Sequence, residues 1–301
     1  MSTRLVLRAG MHTLQVGERP LLMGVVNASA DSFSDGGRYR TLQQRVELAA
    51  EQLRGGADIL DVGGESASTD RPAVAEADEI ERVVPLIARL TGELGALVSI
   101  DTYKPAVARA AIAAGASIVN DVSGLRDPEL ARVCAQTGSA LVLMHTHAAP
   151  KQRLQEPGLY ADVMQDVLDF IGERIEVAMR AGVEREQLIV DPGPDFAKTP
   201  MQTIELLHAL PRLHELERPV LMAISRKDFI GALTRRAPRE RLAGTLAALA
   251  HGLEGGAQLF RVHDVAAAAD FIAVRSALRG ERVTDGELVL AEELRHDRTL
   301  G

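Results

Sequence analysis

Short apolar runs alternate with longer amphipathic stretches along most of the chain. The runs are Leu21–Val26, Asp58–Val62, Leu97–Ile100, Ser117–Val119, Ala140–Met144, Leu188–Val190, Val220–Ile224 and Gln258–Val262. Each is too short for an ordinary helix and apolar enough for a strand buried on both faces. Between them the spacing predicts helices over Leu42–Arg54, Ala75–Leu90, Pro105–Ala114, Pro128–Gln136, Tyr160–Ala181, Met201–Ala209, Arg239–Glu254 and Val265–Leu278. Several end on glycine, at Gly55-Gly56, Gly115, Gly138, Gly182 and Gly255-Gly256, as helix C-caps do. The phrases GGADILDV, AGASIVND and GGAQLFRV repeat one design, a helix end running straight into a buried strand.

Strict strand–helix alternation implies an α/β chain with a parallel sheet. Eight such units closing on themselves make a (β/α)8 TIM-type barrel of about 250 residues. An open doubly wound sheet is the alternative, but no glycine-rich dinucleotide fingerprint follows the first run. Ahead of it, Leu5–Leu7 and Thr13–Val16 flank a glycine-containing turn and read as a hairpin. The expected organisation is a hairpin over residues 1–20 capping a barrel over 21–279, with a charged extension at 280–301.

Composition narrows the picture. Of 301 residues 46% are hydrophobic, yet tryptophan is absent and aromatics make up only 3%, so the core must be aliphatic. A net charge of −8 argues against a nucleic-acid surface, and any anion site must be local. Cys134 is the only cysteine, which rules out an intrachain disulfide; its flanks, PELARVCAQTG, read as an amphipathic helix with a packed thiol. No stretch approaches the roughly 18 apolar residues of a membrane span, and the N-terminus lacks a long apolar segment. The expectation is a soluble, cytoplasmic protein with no membrane partner.

In a barrel the active site forms at the C-terminal ends of the strands. Those ends carry Asn27; Asp61 with Glu65 and Ser66; Asp101; Asn120 with Asp121; His145; Asp191; Ser225, Arg226 and Lys227; and Arg261 with His263 and Asp264. Asp101, Asn120 and Asp191 suit a flat heterocycle rich in ring nitrogens and amino groups. Lys227, Arg261 and His263 suit a phosphate or pyrophosphate. Asn27 offers a neutral oxygen to Mg²⁺, a cation held largely through water and substrate phosphates. No Ser-His-Asp order or histidine-rich zinc spacing stands out; His145 and His147 could in principle bind a metal, but they read better as a polar rim.

At these residues a resemblance becomes specific. MGVVNASADSFSDGG, DILDVGGES, SIDTYK, IVNDVSG, LMHT, DPGPDFAKT, SRKDFIG and RVHDV, in this order between Met23 and Val265, resemble the dihydropteroate synthase family. The resemblance implies a transferase of folate biosynthesis, with 6-hydroxymethyl-7,8-dihydropterin pyrophosphate and p-aminobenzoate as substrates, Mg²⁺ as cofactor and a homodimeric assembly. By the same resemblance Asp101, Asn120, Met144, Asp191, Phe196 and Lys227 contact the pterin. Asn27, Thr69, Arg71, Arg261 and His263 face the pyrophosphate, Asn27 also being the metal ligand. Phe33, Pro72, Phe196, Lys227 and Ser225 receive p-aminobenzoate. Asp101, Lys227 and Arg261 carry the catalytic roles, in an SN1-like substitution that needs no protein nucleophile.

Three departures from the family pattern stand out. Ser29-Ala30 precede Asp31 in the first loop, ESASTDRPAV lengthens the second, and Asp195 stands before Phe196 where the family has glycine. They leave two readings: a working synthase, or a relative that holds a pterin without making dihydropteroate. A corrinoid-dependent pterin methyltransferase shares the barrel, but the SRK and RVHD elements argue against it. Asp195 separates the two readings, and its side chain is expected to turn outward or to pair with a cation such as Lys198 or Arg226.

Overall fold

Eight parallel strands form the frame: β3 (Leu21–Asn27), β4 (Ile59–Gly63), β5 (Val98–Asp101), β6 (Ile118–Asp121), β7 (Ala140–Met144), β8 (Leu188–Asp191), β9 (Leu221–Met222) and β10 (Leu259–Val262). The computed structural model describes residues 5–28, 41–66, 69, 71–281, 288–291 and 294. The strands hydrogen-bond in the order β8-β7-β6-β5-β4-β3-β10-β9. A parallel bridge between Val190 and Val220, with the Val190 amide 2.9 Å from the Pro219 carbonyl, brings the two ends of that series together. The expected barrel is what the chain forms.

The helices are α1 (Leu42–Arg54), α2 (Glu76–Leu94), α3 (Pro105–Ala113), α4 (Glu129–Thr137), α5 (Val163–Arg180), α6 (Pro200–His208), α7 (Asp228–Thr234), α8 (Leu242–Glu254) and α9 (Val265–Leu278). Two expectations need correcting. The run Val220–Ile224 contributes only two residues to the ladder, because beyond Met222 the contact with β10 passes from the backbone to a side chain: the Ser225 hydroxyl accepts from the His263 amide at 3.2 Å. And α7 precedes α8, so the seventh unit carries two helices.

Period-2 alternation along each strand sorts its residues into two layers. Leu22, Val26, Leu60, Val62, Ile100, Val119, Leu141, Leu143, Val190 and Phe260 point outward into the layer beneath the helices. In β4, β6, β8 and β10 the inward positions are apolar at the start and polar further along: Ile59 then Asp61, Ile118 then Asn120, Ile189 then Asp191, Leu259 then Arg261. The apolar tier clusters with Leu7, Ala9 and Val16 of the antiparallel hairpin β1 (Leu5–Ala9) and β2 (His12–Val16). The polar tier lies one step further along, at the mouth.

Candidate active site

At the centre of the polar tier the Arg261 guanidinium bridges two carboxylates. Its Nε donates to Asp61 Oδ2 at 2.6 Å and its Nη2 to Asp101 Oδ2 at 2.8 Å. Asn120 adds a longer bond from Nδ2 to the same Asp61 oxygen, 3.3 Å. Asp61 is fully buried, and its other oxygen, Oδ1, has no hydrogen-bond partner among the described residues. Burial raises the Asp101 carboxyl well above the ordinary range; Arg261 opposes the rise, and Asp61, Glu79 and Asp121 add to it. Burial disfavours the charge on Arg261, but Asp61 and Asp101 more than compensate and hold it protonated. The arrangement fixes a cation within the barrel and keeps two acceptors beside it.

The opposite wall is built from the ends of β8 and β9. Asp191 is 2% exposed and accepts from the Gly193 amide at 2.7 Å; burial raises its carboxyl, with Lys227, Lys198 and Arg261 pulling it back. Gly193 has φ +64°, and a β-carbon there would lie 2.2 Å from the His145 carbonyl oxygen, so only glycine fits this turn. Lys227 places its ammonium 4.3 Å from the centre of the Phe196 ring, a cation–π contact, and burial lowers its pKa. His263 Nδ1 lies 3.0 Å from Ser225 Oγ, and burial among Arg226, Arg261 and Lys227 depresses it to about 3. His263 is therefore a neutral imidazole at physiological pH. The Ser225 hydroxyl thus meets both the ring and the backbone amide of His263, at 3.0 and 3.2 Å.

Asp195 does not enter the mouth. Its carboxylate accepts from the backbone amides of Asp228, at 2.5 Å, and Phe229, at 3.4 Å, and from the Thr203 hydroxyl, at 3.1 Å. It caps the start of α7, satisfying amides that have no partner inside the helix. The outward turn is as expected; among the described residues no cation hydrogen-bonds to the carboxylate, although its charge acts on Lys227. Lys198 is fully buried elsewhere, 2.7 Å from His145 Nδ1, 3.0 Å from the Gly193 carbonyl and 3.1 Å from that of Phe196. Arg226 grips Asp264 with two nitrogens, at 2.8 and 3.2 Å.

Several strand-end residues lie away from the mouth. His145 follows the inward Met144, so alternation turns it outward, where its Nε2 meets Asp166 Oδ1 at 2.8 Å; His147 Nε2 reaches the same oxygen at 2.7 Å. The polar-rim reading of His145 is thus wrong. Lys198 Nζ also lies 3.5 Å from the His145 carbonyl, and burial lowers its pKa to about 7, so the cluster is a buried polar strut joining the ends of β7 and β8. Asp121 also turns outward and accepts from the Ser123 and Leu125 amides, at 2.7 and 2.6 Å. Arg226 and Asp264 hold each other, joining the ends of β9 and β10.

Of the other expected residues, Met144 is buried at an inward position and Asn27 is half-buried at the end of β3. Thr69 and Pro72 are exposed and Arg71 is half-buried. Phe33 and the Ser29-Ala30 departure lie outside the described residues. Sequence reasoning placed Asp61 at a strand end but gave it no role, although its inward position matched that of Asn120. It also missed a buried ionic group beneath the second loop. There Lys104 Nζ donates to Glu65 Oε2 at 2.7 Å, Glu79 Oε2 at 2.6 Å and the Val74 carbonyl at 2.7 Å. Burial raises Glu79; Glu65 also resists ionisation in its buried setting, but Lys104 and the Val74 amide outweigh this and leave it lowered. Nothing in the local sequence around SIDTYK signals that Lys104 has these partners.

A barrel whose mouth sets carboxylates and an amide beside fixed cations belongs to the class of (β/α)8 enzymes, and the comparisons narrow that class. Residues 23–263 match the family described as pterin binding enzyme. The chain is 42% identical over 253 residues to the dihydropteroate synthase of Bacillus subtilis, covering 84% of this chain and 86% of that one. Among solved structures, Yersinia pestis dihydropteroate synthase with a sulfonamide drug complex superposes with a TM-score of 0.86 at 36% identity, covering 92% of this chain and all of the other. The Xanthomonas albilineans enzyme in complex with 7,8-dihydropteroate gives 0.80 at 41%, covering 90% and 98%. The chain belongs to the dihydropteroate synthase family of pterin-binding enzymes.

Proposed function

We propose that this chain condenses 6-hydroxymethyl-7,8-dihydropterin pyrophosphate with p-aminobenzoate to give 7,8-dihydropteroate and pyrophosphate, a step of folate biosynthesis. The observation that carries this reading is the Arg261 guanidinium. Asp61 and Asp101 hold its Nε and Nη2, and Nη1 has no partner among the described residues, so it can meet an anion entering the mouth.

In this reading Asp101, Asn120 and Asp191 receive the amino and ring nitrogens of the pterin, with Met144 and Phe196 bounding its faces. Lys227 contributes a cation beside Phe196. Arg261 and His263 meet the pyrophosphate, with Thr69 and Arg71 on the second loop. Ser225, Pro72, Phe196, Lys227 and Phe33 are assigned to p-aminobenzoate. The bond between the exocyclic methylene and the pyrophosphate oxygen breaks, the arylamine nitrogen bonds to that carbon, and the nitrogen loses a proton. Positive charge that develops on the pterin is offset by Asp101, while fixed donors stabilise the leaving group.

The donors at this end of the barrel fit Mg²⁺. Asn27 offers a hard neutral oxygen and would hold the ion together with substrate phosphates and water. When bound, Mg²⁺ would neutralise charge on the leaving pyrophosphate.

A cytoplasmic homodimer completes the proposal. No helix among the described residues is long and apolar enough to cross a membrane. An apolar furrow between α6, α7 and α8, lined by Ile204, Leu207, Phe229 and the exposed Leu233, is a surface suited to a second copy.

The pterin assignment is tested by calorimetry with 6-hydroxymethyl-7,8-dihydropterin. Wild type should bind it, and Asp191→Asn should weaken binding at least tenfold, because an amide cannot accept at both atoms. Equal affinities would sink the assignment.

A further inference from the structure

The buried ionic group beneath the second loop does more than fill space. Glu65 lies two residues past the end of β4, and Val74 lies two residues before α2. They are the two feet of the loop that carries Thr69, Arg71 and Pro72. The feet are joined directly, since Glu65 Oε2 also accepts from the Val74 amide at 2.8 Å. Both are then held by a single ammonium: Lys104 donates its three protons to Glu65, to the Val74 carbonyl and to Glu79 of α2. Lys104 is 8% exposed and Glu79 1%.

Neighbouring residues are arranged to allow this. Gly64 lets α2 approach, since a β-carbon there would lie 2.7 Å from Glu79 Cγ and 2.8 Å from Val83. Tyr103 donates from its hydroxyl to Glu65 Oε1 at 3.2 Å, and Lys151 Nζ reaches the Ser66 carbonyl at 2.7 Å. Lys104 lies three residues beyond Asp101 on the same strand end. The carboxylate that holds Arg261 and the ammonium that holds the loop are therefore set by one short piece of backbone.

We propose that Lys104 is a positioning residue that fixes both feet of the 65–74 loop relative to the Asp101–Arg261 pair, and so sets how that loop meets p-aminobenzoate. It touches no substrate itself. The proposal rests on the synthase reading above and extends it to a residue outside the binding surface.

The test compares wild type with Lys104→Met, which keeps the length and removes the charge, and with the double variant Lys104→Met/Glu79→Gln. The double variant also removes the buried carboxylate that the single change leaves without its cation, so it keeps the test open should the single variant fail to fold. Three readouts are taken: KM for p-aminobenzoate, calorimetric affinity for 6-hydroxymethyl-7,8-dihydropterin, and amide hydrogen exchange over residues 65–75. The expected result for a folded variant is a KM raised about tenfold or more, an unchanged dihydropterin affinity and faster exchange at 65–75. Unchanged KM and exchange in a folded variant would overturn the proposal, and so would equal losses of KM and dihydropterin affinity, which mark general disruption. Exchange needs no turnover. An inactive wild type would count against the synthase reading alone, and the exchange comparison would still decide the role of Lys104.

Discussion

The Asp195 carboxylate lies 2.5 Å from the backbone amide of Asp228, tying the turn after β8 to the start of α7. The residue that departs from the family pattern is thus occupied in holding a helix.

Two opposing terms set what its replacement does. Asp195 adopts φ +65°, a conformation that costs a residue with a β-carbon about 1–2 kcal/mol. Its capping bonds return about 0.5–2 kcal/mol. Asp195→Ala keeps the strain and loses the cap, and should lower the unfolding free energy by about 1–2 kcal/mol. Asp195→Gly loses the cap but relieves the strain, and should cost less. Urea denaturation of both variants checks the ranking, and an alanine variant more stable than the glycine one would contradict it.

Arg261→Met should weaken pyrophosphate binding about tenfold or more, since a charge-assisted hydrogen bond contributes roughly 1.5–3 kcal/mol. It should also destabilise the chain by leaving Asp61 and Asp101 buried without their cation. Burial already raises the folded pKa of Asp101, and the change removes the Arg261 charge that opposes the rise. The stability contribution of Asp101 is therefore present at acid pH and lost as pH rises. The melting-point deficit of the variant should shrink as the pH is lowered, and a deficit that grows towards acid would refute the account.

His145 gives a second pH dependence. Burial first, then the Lys198 charge, lowers it to about 4 from an ordinary 6.5. Between those values the unfolded chain takes up a proton that the folded chain does not. Stability is then full above about 6.5, falls as pH drops by up to about 1.4 kcal/mol per unit, and levels off below about 4. His145→Gln removes this titration. Its unfolding free energy should vary less steeply with pH across that window than that of wild type, and equal slopes would contradict the assignment.

Much of the site is legible from alternation alone. Once a strand is placed, every second residue faces inward, and the last inward residues of β3, β5, β6, β8 and β10 are Asn27, Asp101, Asn120, Asp191 and Arg261, all expected. The same rule removes His145 and Asp121, each one step out of phase, and restores Asp61; it had been applied to strand ends as such and not to their faces. The partners of Lys104, Asp195 and Arg226 were beyond that reasoning. Apart from Thr203, they lie 25 or more residues away, and which of several polar groups each one meets depends on how α2, α7 and β10 pack.

The central claim is tested most directly by incubating the purified chain with 6-hydroxymethyl-7,8-dihydropterin pyrophosphate, p-aminobenzoate and Mg²⁺, and following 7,8-dihydropteroate by mass. Wild type should form it with an equal amount of pyrophosphate, and Asp195→Gly should turn over no faster, because the aspartate already points away from the mouth. A wild type that forms no dihydropteroate, with turnover appearing only in Asp195→Gly, would contradict the account.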